Sequence, residues 1–308
     1  MKITPLIISI AITTILWSCK AKNTHQAISK TRSEPIGTIA FTSSRDGNAE
    51  VYSMNADGSQ LKNWTNNPAL EYGSSWSPDG KQLATYSKRD GNTEIYLINS
   101  DGSEPIRLTN DPSDDVLPVI SPNGKEIAFM SNRNSSKRNL YLMNMDGTNI
   151  RTLTLNEHYE ESPSWSPDGS KILFTRELRD PNEKGHAGNG EIFVMDKDGS
   201  NLKQLTNKEG FDSGAVFSPN GKQIAFYGLE NDKWDLFVMD ANGENLYNLT
   251  QDSTECYSPS WSPDGKWLAY TGGSSENYDI WIIHLDSKER RRLTTTKERD
   301  EHPSWSAN

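Results

Sequence analysis

From residue 36 onward the hydrophobic positions fall into short runs separated by polar, glycine-containing turns, and the runs recur in a fixed order. The first set is Ile39-Ala40-Phe41, Leu83-Ala84, Ile127-Ala128-Phe129, Ile172-Leu173-Phe174, Ile224-Ala225-Phe226 and Leu268-Ala269-Tyr270. The second is Val51-Tyr52, Ile95-Tyr96, Leu140-Tyr141, Ile192-Phe193, Leu236-Phe237 and Ile280-Trp281. A third ends in Trp64-Thr65, Leu108-Thr109, Leu153-Thr154, Leu205-Thr206, Leu249-Thr250 and Leu293-Thr294, and a fourth at Trp76, Ile120, Trp165, Phe217, Trp261 and Trp305. The runs are too short for helices and rich in β-branched and aromatic residues, so they predict strands. Several are apolar at successive positions, as in Ile192-Phe193-Val194-Met195, which requires both faces of the strand to be covered.

The turns repeat with the strands. Ser-Pro-Asp-Gly begins at Ser77, Ser166 and Ser262, and Ser-Pro-Asn-Gly at Ser121 and Ser218. Proline presets the φ of a type I turn, and glycine supplies the positive φ that lets a hairpin leave it. A second tight turn follows the second run at Asp57-Gly58, Asp101-Gly102, Asp146-Gly147, Asp198-Gly199 and Asn242-Gly243, with Asp286-Ser287 in the sixth copy. Four antiparallel strands repeated every forty-odd residues predict an all-β six-bladed β-propeller. The chain opens on a first-type strand at Ile39, and its final fourth-type strand at Trp305 has no successor. That strand is therefore expected to pair with the N-terminal blade and close the ring, which removes the open edge.

The first eighteen residues break the pattern. Lys2 is their only charge, and an apolar stretch from Ile3 to Trp17 leads to Leu16-Trp17-Ser18-Cys19. This is the plan of a secretory signal. It resembles the bacterial lipoprotein signal, which implies cleavage before Cys19 and lipidation of that residue. The expected organisation is a signal peptide over 1–18, a lipidated flexible tether over 19–35 and a propeller over 36–308. With Cys19 acylated, Cys256 would be alone and no disulfide within the chain is expected.

The unit Pro-x-Trp-Ser-Pro-Asp-Gly-Lys, Ile-Ala-Phe, Ile-Tyr-x-Met-Asn-x-Asp-Gly, Leu-Thr resembles the propeller repeat of the TolB family, best in Pro163 to Phe174 and Pro259 to Tyr270. The resemblance covers about residues 36 to 306. It implies a periplasmic protein that works on other envelope proteins. Residues 20 to 35 are too few for the additional N-terminal α/β domain of that family, so a propeller alone is expected. Lys20 is not the Asp of inner-membrane retention signals, which points to the outer membrane. The repeat also resembles the propellers of prolyl-oligopeptidase-type enzymes, but no Gly-x-Ser-x-Gly nucleophile elbow is present.

Composition narrows the function. Apolar residues are 33% of the chain, its mean hydropathy is −0.76 and its formal net charge is −10. A membrane-embedded body is excluded, so contact with a membrane would run only through the lipid. Nucleic acid, which needs basic patches, is excluded too. No zinc, phosphate-loop or metalloprotease motif is present. His158, His186 and His302 fall in connecting loops without a repeated position, and His25 and His284 stand elsewhere. The Asp-Gly and Ser-Pro-Asp-Gly turns share one end of the ring. The loops after the first and third strands share the other and vary, most of all at Arg176 to Gly190.

One column carries candidate chemistry. Five residues before each fourth-strand aromatic or its equivalent stand Glu71, Asp115, Glu160, Asp212, Cys256 and Asp300. Five carboxylates, joined by Glu161 and Glu301, are expected at the mouth of the axial channel, where they would focus a negative potential on a basic peptide or an envelope protein. The competing expectation is that each carboxylate holds its own loop. No catalytic residue and no cofactor are expected, a divalent cation at the channel mouth being the one candidate. The chain thus reads as a monomeric, non-catalytic, lipid-anchored binding protein of the periplasm. Two alternatives stand beside this reading: a carbohydrate-active hydrolase or lyase with its site at the same mouth, and a purely structural lipoprotein.

Overall fold

The computed structural model describes residues 34–101, 103–178, 189–251 and 254–307. Residues 35–308 group as one unit. Cys19, the signal segment and most of the tether lie outside the described residues, as do 179–188 of the insertion.

Twenty-four strands form six four-stranded antiparallel sheets. Blade 1 holds β1 (Thr38–Ser43), β2 (Glu50–Asn55) and β3 (Lys62–Asn63). Blade 2 is β4 (Glu71–Trp76), β5 (Gln82–Ser87), β6 (Glu94–Asn99) and β7 (Ile106–Arg107). Blade 3 is β8 (Asp115–Ile120), β9 (Glu126–Ser131), β10 (Asn139–Asn144) and β11 (Arg151–Thr152). Blade 4 is β12 (Glu160–Trp165), β13 (Lys171–Glu177), β14 (Gly190–Asp196) and β15 (Lys203–Gln204). Blade 5 is β16 (Asp212–Phe217), β17 (Gln223–Glu230), β18 (Lys233–Asp240) and β19 (Tyr247–Asn248). Blade 6 is β20 (Glu255–Trp261), β21 (Trp267–Ser274), β22 (Asn277–His284) and β23 (Arg290–Arg292). The last strand, β24 (Asp300–Trp305), pairs antiparallel with β1, placing Ile39 opposite Trp305 and Ser43 opposite Asp300. The ring closes as expected.

The strands β4, β8, β12, β16, β20 and β24 touch their counterparts in both neighbouring blades, so the fourth-type strand is innermost. The outer strands are only two or three residues long, which leaves little free edge for unwanted pairing. This departs from the expected third strand. The Leu-Thr pair follows the strand, and its threonine acts as a clasp. The hydroxyls of Thr65, Thr109, Thr154, Thr206, Thr250 and Thr294 each accept the N–H that opens the second apolar run, at 2.9–3.0 Å.

The core lies between blades. Ile39, Phe41 and Met54 of blade 1 pack with Trp267, Ile280 and Ile282 of blade 6, and the other seams are built alike. This is why the runs are apolar on both faces. Polar links at the inner strands alternate around the ring. Trp76, Trp165 and Trp261, in the even blades, donate backward from their indole N–H to Ser304, Val119 and Val216 carbonyls at 2.9–3.1 Å. The serines just before them face forward. Ser75 accepts from the Ile120 amide, Ser164 donates to the Ala215 carbonyl, and Ser260 accepts from the Trp305 amide, at 2.6–2.9 Å. Blades 3 and 5 carry Val119-Ile120 and Val216-Phe217 at these positions. Every seam thus has at least one side-chain link at its inner strands, and blades 2, 4 and 6 supply all six of these links.

Candidate functional site

Each inner strand is broken at the same place. The register with its neighbour shifts between Tyr72 and Ser75, Val116 and Val119, Glu161 and Ser164, Ser213 and Val216, and Tyr257 and Ser260, with the matching shift in β1 opposite β24. The bulge residues Gly73, Leu117, Ser162, Gly214, Ser258 and His302 all have positive φ, between 49° and 63°. The left-handed region costs a non-glycine residue energy, so four of these bulges are held by the surrounding ring. Glycine occupies the bulge where a tyrosine lies over it. A Cβ on Gly73 would stand 2.9 Å from the Tyr86 ring, and one on Gly214 would stand 2.5 Å from Tyr227.

The six bulges surround a chamber of about 360 Å³ on the channel axis, near the variable end. Its wall changes round the ring. In blades 5 and 6 the hairpins β17–β18 and β21–β22 have eight-residue strands, against six in blades 1 to 3, and rise as a crest. Aromatic rings run along this crest in edge-to-face contact, from Phe211 to Trp234, Tyr227, Tyr257 and Tyr278. Tyr72 and Tyr86 stack in blade 2 with ring centres 5.8 Å apart.

Polar groups are set between these rings. Glu161 accepts from Ser213 Oγ at 2.6 Å, and burial raises its pKa above the ordinary carboxylate value. Tyr257 donates to Glu301, which also accepts from Arg299 at 2.9 Å. His302, whose side chain is exposed, has Nδ1 3.0 Å from Ser258 Oγ.

The predicted acidic column sits elsewhere. Glu71, Asp115, Glu160, Asp212 and Asp300 have essentially no solvent-exposed side chain. Each meets a cation: Arg89 at 2.8 Å, Arg133 at 2.6 Å, Arg176 at 2.6 Å, Lys208 at 2.8 Å and Arg45 at 3.0 Å, in that order. Each cation also lies over an aromatic ring of the second strand, as Arg89 does over Tyr96 at 4.6 Å and Lys208 over Phe237 at 4.5 Å. Burial raises the pKa of Glu71, Asp115 and Asp212 despite these partners. The five acids are therefore sunk inside their blades, and the contacts are those of loop-holding latches. One residue further along, Glu161 lines the chamber, while Glu301 is held by Tyr257 and Arg299.

In blade 6 the latch is absent at both ends. Cys256 replaces the acid, and Gly272 stands where Arg176 stands in blade 4. A Cβ on Gly272 would meet Trp281 and Tyr270 at 2.9 Å, so aromatic rings close in on this position. Cys256 is buried and free, its pKa pushed up to about 12 by burial, which makes it unreactive.

A second set of buried acids was missed in the sequence. Thr65, Thr109, Thr206, Thr250 and Thr294 donate to Glu50, Glu94, Glu191, Asp235 and Asp279 at the start of the second strand. Where blade 3 has Asn139, Thr154 turns to Glu160 of blade 4. The signal was a period-matched acid fifteen residues before each threonine. Of the loop histidines, His158 Nδ1 lies 3.1 Å from the Glu177 carbonyl, far along the chain from His302, and His186 is outside the described residues. Among the described residues no three His, Cys, Asp or Glu side chains are grouped to hold a metal ion.

A closed ring of six four-stranded blades with a central chamber defines a six-bladed β-propeller. The family model described as the TolB β-propeller domain matches residues 64–186 and 182–308, and the chain belongs to that family. The Tol-Pal system protein TolB of Wolbachia pipientis subsp. Culex pipiens (strain wPip) is 45% identical over 60 residues, which is 20% of this chain and 14% of that protein. The chain thus matches a small part of that relative's length. The crystal structure of TolB from Acinetobacter baumannii superposes with a TM-score of 0.74 at 22% identity, over 89% of this chain and 67% of the other. A chain of a nidogen/laminin complex gives 0.70 at 15%, over 87% and 98%. Oligogalacturonate lyase in complex with manganese gives 0.58 at 14%, over 86% and 75%. These likenesses show the shared fold alone.

Proposed function

We propose that the chain is a non-catalytic binding protein of the bacterial envelope that takes a segment of a partner protein into the variable-end mouth of its axial channel. The observation that carries this is the chamber of about 360 Å³ framed by six left-handed bulges, with tyrosines and half-buried acids at its rim. Rigid aromatic rings with polar tips are the residues that anchor protein partners at low entropic cost. An envelope location is supported by the Leu16 to Cys19 signature and by the Tol-Pal name of the curated relatives. In this reading Cys19 carries the lipid, and the anchor is in the outer membrane. Photo-crosslinking amino acids at Tyr72 and at Leu246, an exposed residue just after the Asn242-Gly243 turn, test it in cells. Capture from Tyr72 but not from Leu246 supports the mouth as the binding face, and the reverse overturns it.

A second reading has one supporting observation. Tyr257, Glu301 and His302 stand together at the chamber, and a lyase shares the fold. Turnover of oligogalacturonate by the purified chain, with and without manganese, would displace the binding reading.

A further inference from the structure

The cations near the variable mouth are nearly all engaged. Arg45, Arg89, Arg133, Arg176 and Lys208 hold the buried column, while Arg107, Arg292 and Arg299 pair with Glu94, Asp279 and Glu301. Arg138 differs. It is half-buried, and no carboxylate among the described residues lies within ion-pair distance of it. Of its five N–H donors one is used, from Nη1 to the Tyr159 hydroxyl at 3.2 Å. The residue after it, a carboxylate in the other five blades, is Asn139 here. Arg138 and the exposed Lys88 line a cleft of about 360 Å³ between blades 2 and 3, faced by Tyr72 and Tyr86 and by a single acid, Asp114. One Asp114 carboxylate oxygen, Oδ1, accepts the Thr93 amide at 3.0 Å, and two cations, Arg138 and Lys88, face this one acid in the cleft. Tyr86, Leu117 and His302 border both this cleft and the axial chamber, so the two spaces adjoin.

Resting on the binding reading above, we propose that Arg138 and Lys88 form a carboxylate-recognition subsite beside the chamber. A planar guanidinium with free donors, partly withdrawn from water, is suited to binding a carboxylate through paired hydrogen bonds. The occupant is a peptide segment carrying both signs of charge. Its carboxylate, from a side chain or a C-terminus, sits against Arg138, and its basic group is drawn to Glu161. A polyuronate, which carries only negative charge, would meet Glu161 in the adjoining chamber and be repelled.

An array of short synthetic peptides, each in free-acid and terminal-amide form and with acidic positions exchanged for amides, tests this against the full-length chain. Oligogalacturonate is the competing probe. The wild type is expected to prefer carboxylate-bearing peptides. Arg138→Gln should lose that preference by about tenfold or more, and Arg138→Lys should keep only part of it, since an ammonium supplies the charge without the paired donors. Arg138→Gln should melt with the wild type, since only one neutral hydrogen bond is lost. Peptide binding that is blind to carboxylates, or unchanged in Arg138→Gln, overturns the subsite and leaves the binding reading standing. Binding of oligogalacturonate but of no peptide overturns both.

Discussion

Removing the Trp305 side chain tests how the ring is closed. Trp305 ends β24, is 7% exposed, and packs among Ile39, Phe41 and Trp267 at the seam between blades 1 and 6. Its indole N–H reaches the Ile36 carbonyl at 2.7 Å, so it also holds the segment that enters β1. A buried Trp→Ala change costs about 3–5 kcal/mol through lost burial and the cavity left behind. For a domain of this size each kcal/mol is worth about 2 °C, which gives a fall of roughly 6–10 °C in melting temperature. Trp165→Ala is the internal standard. That residue has the same position in blade 4, the same 7% exposure and an indole N–H bonded to a carbonyl, that of Val119 in blade 3, but it lies away from the closure. Calorimetry should show similar losses for the two. Amide exchange should separate them, with protection lost at Ile39 and Ala40 only in Trp305→Ala, because those residues are paired across the closure. A Trp305→Ala protein that melts with the wild type while Trp165→Ala falls would refute closure by this strand.

Arg89→Ala should destabilise by about 3 kcal/mol or more by stranding the Glu71 carboxylate in the blade, and adding Glu71→Gln should restore part of it; denaturant titration of the two variants checks this. Acid titration should show two opposing regimes. Glu71, Asp115, Glu191, Asp212 and Asp279 have raised pKa values in the fold, so the native state takes up protons first and stability rises as pH drops from neutral through those values. The turn acids, among them Asp168 at about 2, have lowered values, so their contribution is present above 3.8 and is lost as pH falls towards 2. A melting temperature that falls steadily from pH 7 downward would contradict the first regime. Cys19→Ala should release the protein from membranes or leave it unprocessed, read by fractionation.

Fold and site were not equally legible. Six copies of four apolar columns, with Ser-Pro-Asp-Gly between them, defined blade number, strand order and closure, because burial on both faces leaves a direct mark on residue type. The charged column was visible too, but its address was not. A carboxylate inside a blade and one at the channel mouth look alike until the partner is known. The partner was within reach. Ser-x-Arg recurs at Ser43, Ser87 and Ser131, its Arg89 and Arg133 standing eighteen residues after Glu71 and Asp115, and blade 6 lacks both the acid and the cation. An acid that disappears together with a cation is a paired acid. The chamber's lopsided wall was the least legible feature. It depends on two extra residues per strand in blades 5 and 6, which the repeat spacing hides inside loops of equal length.

The alternating seams explain how so polar a ring stays rigid around a strained centre. Four non-glycine bulges at positive φ would relax if the blades slid apart, because each lies on an inner strand fixed by its neighbours. The Ser-Trp pairs of blades 2, 4 and 6 reach in both directions, so each odd blade is gripped by the two even blades beside it. Blade 1 alone among the odd blades also carries Ser-Trp, at Ser304-Trp305, and it is the one assembled from both ends of the ring. Its tryptophan has no need to grip a further blade and ties down Ile36 instead. With the column acids paired inside the blades, the charged side chains lining the chamber and its cleft are few: Glu161, Lys88, Asp114 and Arg138. In the binding reading proposed above, selectivity at the mouth would rest on these four and on the tyrosines between them, rather than on the net charge of the chain.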